Sequence, residues 1–193
     1  IDVEGNRYLD AISSLWVTTL GHGVPELDQA VRDQLDRVAH TTMLGNGNRI
    51  VIELAEALAP RVPVDRPRFL FASDGAAAVE QALKIAFQFW QQNGRPARQR
   101  FLTLAGAYHG DTLGAASVAG LGGFFDTFAP LLFEVVHAPA PGRDDAHGWA
   151  EVTDQLERLI HERAGELAGV IVEPMVQGAA GMRLYPADVL RRV

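Results

Sequence analysis

Short apolar runs alternate along this chain with segments of helix-length periodicity, and that alternation most restricts what it can fold into. Arg68-Phe69-Leu70-Phe71-Ala72, Phe101-Leu102-Thr103-Leu104, Phe133-Glu134-Val135-Val136-His137 and Gly169-Val170-Ile171-Val172-Glu173-Pro174 read as strands. From Ala76 to Gln92, Val79, Ala82, Leu83, Ala86, Phe87 and Trp90 form a wide apolar helix face, as Val152, Leu156, Leu159 and Ile160 do from Val152 to Arg163. Two earlier helices are predicted, Pro25 to His40 through Leu27, Ala30, Val31, Leu35 and Val38, and Ile50 to Leu58. Strands separated by such crossovers pair in parallel with helices on the sheet faces, so a single α/β domain is the simplest reading. At the ends, Gly5-Asn6 reads as a hairpin turn and Pro186 as the start of a further helix. Both ends look abrupt, and the expectation is a fragment of a longer protein.

Charge and composition narrow the function classes. The 193 residues carry 24 Asp+Glu against 17 Lys+Arg, which argues against a basic nucleic-acid surface. No apolar run approaches the roughly 20 residues of a bilayer span, and no leader pattern opens the chain, so a cytoplasmic location is expected. With no cysteine, disulfides, thiolate zinc sites and cysteine nucleophiles are excluded together. His22, His40, His109, His137, His147 and His161 form no metal-ligand spacing, and no Gly-x-Ser-x-Gly elbow occurs. No metal site is expected.

Open α/β sheets bind ligands at the carboxyl ends of their strands. Ser73-Asp74-Gly75-Ala76 falls between a strand and a long helix, where unpaired N–H groups suit a phosphate. The alternative is that Ser73 or Asp74 caps the helix and Gly75 makes the turn. The spaced glycines of a dinucleotide site and the Gly-Lys-Ser/Thr of a P-loop are both missing. Tyr108-His109 stands in a glycine-flanked loop, where the ring could cover a flat ligand or simply be buried and hydrogen-bonded. Glu173 ends an apolar run, so its carboxylate needs a partner, which a structural ion pair would also supply. Glu80 and Lys84, four apart, read as an ion pair on one helix face.

Together these segments resemble the class III (ω-type) aminotransferases, pyridoxal 5'-phosphate (PLP) enzymes of fold type I, over essentially the whole chain. The resemblance is carried by Ser13-Ser14-Leu15-Trp16, Gly21-His22-Gly23, and Gly75-Ala76 with Val79-Glu80-Gln81-Ala82-Leu83-Lys84. It continues through Phe89-Trp90, Tyr108-His109-Gly110-Asp111-Thr112-Leu113-Gly114 and Val172-Glu173-Pro174-Met175-Val176-Gln177-Gly178-Ala179-Ala180-Gly181-Met182. Ser-Ser-Leu-Trp, Phe-Trp and Val-Gln-Gly-Ala-x-Gly-Met point to the biotin-pathway branch. The resemblance implies an amino transfer from S-adenosylmethionine to 8-amino-7-oxononanoate, giving 7,8-diaminononanoate. It also implies that Gly75 and Ala76 contact the PLP phosphate, that Tyr108 stacks on the ring and shapes the substrate site beside His109, and that Glu173 lies near the cofactor. Leu15 and Trp16 would line the substrate pocket. Residues 1–40 correspond to an N-terminal segment, part of the small domain and the entry to the large domain, and residues 41–193 to a partial PLP-binding large domain. Family members are homodimers, and His40 to Asn48 resembles the stretch that reaches a neighbouring cofactor.

Three departures stand out. Ala76-Ala77-Ala78 replaces segments with Ser or Glu side chains in several relatives, and Leu15 replaces a tryptophan found in some members. Lys84 is the one lysine, stands at the wrong motif position, and no Asp-Glu-x-x-x-Gly segment is present. The expectation is part of a PLP site without the cofactor-carrying lysine, hence no catalytic residue in this chain. The alternatives are another ω-aminotransferase, using a diamine or β-amino acid with pyruvate, and a non-catalytic phosphate-binding or dimerisation module.

Overall fold

A computed structural model describes residues 1–140 and 148–193; His147 lies outside them. The chain forms two compact units, residues 1–69 and 70–193.

The first unit is helical. It opens with a turn in which Asp2 N–H donates to Asn6 O (3.0 Å) and Gly5 N–H to Asp2 O (3.1 Å). The corner therefore falls on Val3 and Glu4, not on Gly5-Asn6, because the Asp2 carboxylate accepts the Glu4 and Asn6 N–H groups at 3.1 and 2.8 Å. No strand ladder follows it. A single turn, α1 (Ser13–Trp16), winds left-handed, with φ of +49°, +49°, +63° and +69° at its four residues. Left-handed turns cost non-glycine residues about 1–2 kcal/mol each. Asp10 braces it: its Oδ2 accepts from Ser14 Oγ at 2.9 Å and lies 2.9 Å from His22 Nε2. The His22 and Ser14 hydrogen bonds hold the Asp10 carboxyl down at about 2. Helix α2 (Pro25–Arg37) starts on a first-turn proline, as expected, and stops three residues short of His40. Asn48 caps α3 (Arg49–Leu58), its side chain accepting from the Ile50 and Val51 N–H groups.

The second unit holds the sheet. Strands β1 (Arg100–Leu104), β2 (Val136–Ala138) and β3 (Leu167–Ile171) run in parallel in the order β2-β1-β3. Alternate β1 side chains point to opposite faces, so two cores form. On one face Leu102 and Leu104 meet α6 (Trp149–Glu162) and α7 (Ala187–Arg192) through Trp149, Val152, Leu156 and Val189. On the other, Phe101 and Ala168 meet Leu83, Val79, Ala86 and Trp90 of α4 (Gly75–Gln92). Trp90 Nε1 donates to Ala168 O at 2.7 Å, which ties the end of α4 to β3. Covering both faces is what a parallel sheet requires.

Three strand expectations change, the Gly169–Pro174 strand forming as β3 over Leu167–Ile171 and stopping short of Glu173. Arg68 to Ala72 carries no strand assignment; Leu70 is 66% and Phe71 43% exposed, so an apolar run did not translate into a buried ladder. The expected Phe133–His137 strand begins at Val136 rather than Phe133, because the Phe133 N–H is taken by Ser117 Oγ (3.1 Å) instead of a neighbouring strand. Further elements are a five-residue helix, α5 (Leu113–Ser117), and a two-stranded antiparallel ribbon of β4 (Val176–Gln177) and β5 (Arg183–Leu184). Among the described residues, no helix is long and apolar enough to cross a membrane.

Candidate active site

The second unit brings together five of the residues singled out in the sequence: Gly75, Ala76, Tyr108, His109 and Glu173. Gly75 and Ala76 open α4, whose eighteen residues end on exposed backbone N–H groups. Asp74 is the N-cap and accepts from the Ala77 N–H at 2.8 Å, while Ser73 Oγ donates to its other oxygen at 2.9 Å. The Ala77 N–H, then Ser73, hold the Asp74 carboxyl below its ordinary range. The capping alternative is thus met by Asp74, and the Gly75 and Ala76 N–H groups lie on the same helix end.

The Tyr108 loop leans directly on that end. A Cβ placed on Gly110, whose φ is +128°, would lie 2.5 Å from the Ala76 Cβ and 2.8 Å from its Cα. Only a residue without a side chain lets the loop come this close. Tyr108 Oη donates to Asp111 Oδ1 at 2.9 Å, and its ring meets Phe124 edge-on with centroids 6.5 Å apart. Burial, with Asp111 adding to it, raises the phenol above its ordinary value. His109 turns inward, 3.4 Å from the hydroxyl of fully buried Thr103, and burial pushes its imidazole down to about 4. It is neutral at pH 7.

Glu173 lies two residues past β3, and its backbone carbonyl accepts from Tyr185 Oη. Its Oε2 accepts the Tyr108 N–H at 3.1 Å and its Oε1 the Gly178 N–H at 2.9 Å. The partner that its position demanded is backbone: two N–H donors fill the place that the ion-pair alternative would have given to a cation. The Glu80–Lys84 pair is corrected too. The Glu80 carboxylate reaches across to Thr112 and to the start of α5 instead of pairing with Lys84, which lines a groove together with Glu80, Leu83, Phe87, Phe101 and Phe133. Nine residues after Gly75, Lys84 stands about 13 Å along the helix axis from the N-terminal end of α4. Leu15 and Trp16 belong to the first unit, where they are 68% and 52% exposed on the left-handed turn.

The whole chain, residues 1–193, matches the family described as Aminotransferase class-III. It belongs to that family. Adenosylmethionine-8-amino-7-oxononanoate aminotransferase of Geobacter sulfurreducens is 43% identical over 201 residues, covering 100% of this chain and 44% of the relative. The protein of the same name from Nitratidesulfovibrio vulgaris is 46% identical, over 99% of this chain and 37% of its own length. Among solved structures, that of the Methanocaldococcus jannaschii enzyme of this name superposes with a TM-score of 0.92 at 39% identity, covering 100% of this chain and 43% of that one. A PLP-bound amine transaminase from an uncultivated Pseudomonas species gives 0.89 at 37%, covering 99% and 45%. The chain thus spans less than half the length of these class III relatives, and the parallel sheet with helices on both faces is their shared fold.

The residues present fit a phosphorylated, flat cofactor. The Gly75 and Ala76 end of α4 supplies N–H donors and helix dipole, and the Tyr108 loop is packed against it at van der Waals contact. Asp74 opposes the fit, as an anion on the same helix end. Sequence reasoning missed the loop's two carboxylate anchors, Glu80 and Glu173, as a pair. A usable signal was Gly110 and Gly114 spaced by four opposite Ala76 and Glu80 spaced by four.

Proposed function

We propose that this chain supplies the phosphate-binding helix, the ring-covering loop and the substrate wall of a PLP-dependent aminotransferase. The acceptor is 8-amino-7-oxononanoate and the amino donor S-adenosylmethionine. The observation that carries the reading is the seating of Gly110 on Ala76, which sets the Tyr108 loop against an anion-binding helix end. When bound, pyridoxal phosphate supplies an electron sink through which an amino group is exchanged for a carbonyl.

Each residue has a task in this reading. Gly75 and Ala76 bind the phosphate through backbone N–H groups, and Tyr108 covers the ring. Neutral His109 holds Thr103 and the loop from beneath, and Glu173 fixes the loop through the Tyr108 N–H. Leu15 and Trp16, held by the Asp10 brace, offer apolar surface suited to a long aliphatic amino-ketone. Lys84 takes no part, and the lysine that carries the cofactor is proposed to lie outside these residues. The protein is proposed to act as a homodimer, with residues 40–48 facing the neighbouring site, and residues 1–40 and 41–193 as the domain division.

A second reading is another ω-aminotransferase, using a diamine or β-amino acid with pyruvate; the 37% identity to the Pseudomonas amine transaminase supports that broader class. The full-length protein, purified with PLP, separates the two. Formation of 7,8-diaminononanoate from S-adenosylmethionine and 8-amino-7-oxononanoate, followed by mass spectrometry, is the expected result. Turnover with a diamine or β-amino acid and pyruvate but not with these substrates selects the second reading, and absence of a PLP absorption band overturns both.

A further inference from the structure

Glu80 lies four residues after Ala76 and so on the same face of α4. Its Oε1 accepts from Thr112 Oγ1 at 2.6 Å, the Gly114 N–H at 2.7 Å and the Ala115 N–H at 3.3 Å. Two of these donors belong to the first turn of α5, whose N–H groups have no partner within that helix. A carboxylate is the strongest acceptor a side chain can offer them. The fit is close: a Cβ at Gly114 would lie 2.6 Å from the Glu80 carboxyl carbon, so a side chain there would push the carboxylate off its donors. Contacts repeat at a spacing of four on both partners, Gly110 on Ala76 and Gly114 on Glu80. At the other end of the same segment, Glu173 holds the Tyr108 N–H. Two carboxylates from different elements therefore bracket residues 108–115.

We propose that Glu80 is a positioning residue of the cofactor site. It clamps residues 108–115 onto α4, so that the Tyr108 ring and the Gly75–Ala76 end move as one body and the cofactor is held between fixed walls. Glu80 touches neither cofactor nor reacting atoms; it acts through Thr112, Gly114 and Ala115. The inference rests on the PLP reading above.

The full-length protein, as Glu80→Ala and Glu80→Gln variants, tests it by two readouts that do not involve turnover: amide hydrogen exchange and the rate of PLP release. In Glu80→Ala, exchange across residues 108–115 should speed up by about tenfold, the equivalent of one charge-assisted hydrogen bond, with β1 unchanged. PLP release should quicken by about the same factor. Glu80→Gln keeps an oxygen acceptor and should fall between, by roughly threefold in each readout. If the alanine variant does not fold, the glutamine variant alone decides by those values. Unchanged exchange at 108–115 overturns the inference, as does a loosened segment that releases PLP at the wild-type rate. Wild-type binding of PLP together with either result fells this inference alone, whereas wild-type protein that binds no PLP fells the aminotransferase reading and this inference with it.

Discussion

Asp74 places a negative charge at the positive end of α4, where a dianionic phosphate is proposed to bind. Capping and ligand binding want different things there: the Ala77 N–H gains an acceptor, while the phosphate meets a like charge. Asparagine caps about as well as aspartate and carries no charge. Asp74→Asn should therefore leave the helix intact and tighten PLP binding on the order of fivefold, from removing a charge of the helix-terminus kind. The dissociation constant measured at low and high salt checks this. The gain should shrink at high salt, and weaker binding in the variant would mean that Asp74 holds the ligand instead of repelling it.

At the scale of elements, the proposed site is a contact between the first turn of α4 and the loop leading into α5. Gly110 meets helix backbone, which cannot give way, so Gly110→Ala should lift the loop off its seat at a cost of about 2 kcal/mol or more. The full-length variant is expected to keep its far-ultraviolet circular dichroism and lose PLP at least tenfold more readily than wild type (about 1.4 kcal/mol per tenfold). Retention of PLP would show that the loop does not cover the cofactor. Helices α2, α3, α4 and α6 were legible because apolar periodicity follows directly from burying one face, and β1 because both its faces are covered. Arg68 to Ala72 was misread since apolar character predicts burial but says nothing about which strand pairs with it. Glu80 was misread for a similar reason. Local spacing favoured Lys84, while the stronger acceptor demand came from Gly114, thirty-four residues away. The left-handed turn at Ser13–Trp16 left no local mark, because its brace joins Asp10 to His22 across twelve positions.

Across the second unit, the layers converge on His109, which sits above the carboxyl end of β1 against buried Thr103. Burial lowers its pKa to about 4, from an ordinary 6.5 that the unfolded chain regains. Between those two values the unfolded state binds the proton and the folded state does not, so folding stability rises with pH. The contribution is fully present above about 6.5 and is lost as pH falls toward 4. Solvent reaches part of the half-buried ring, which reduces the effect to about 1 kcal/mol between pH 7 and pH 5. Urea midpoints of the full-length protein at those two pH values, compared with His109→Gln, isolate it from the carboxylates that titrate in the same range. The variant should show a shallower fall in stability toward pH 5 than wild type. Parallel pH profiles for the two proteins would mean that the imidazole is solvated in solution, and that the loop holding Tyr108 is open rather than seated on β1.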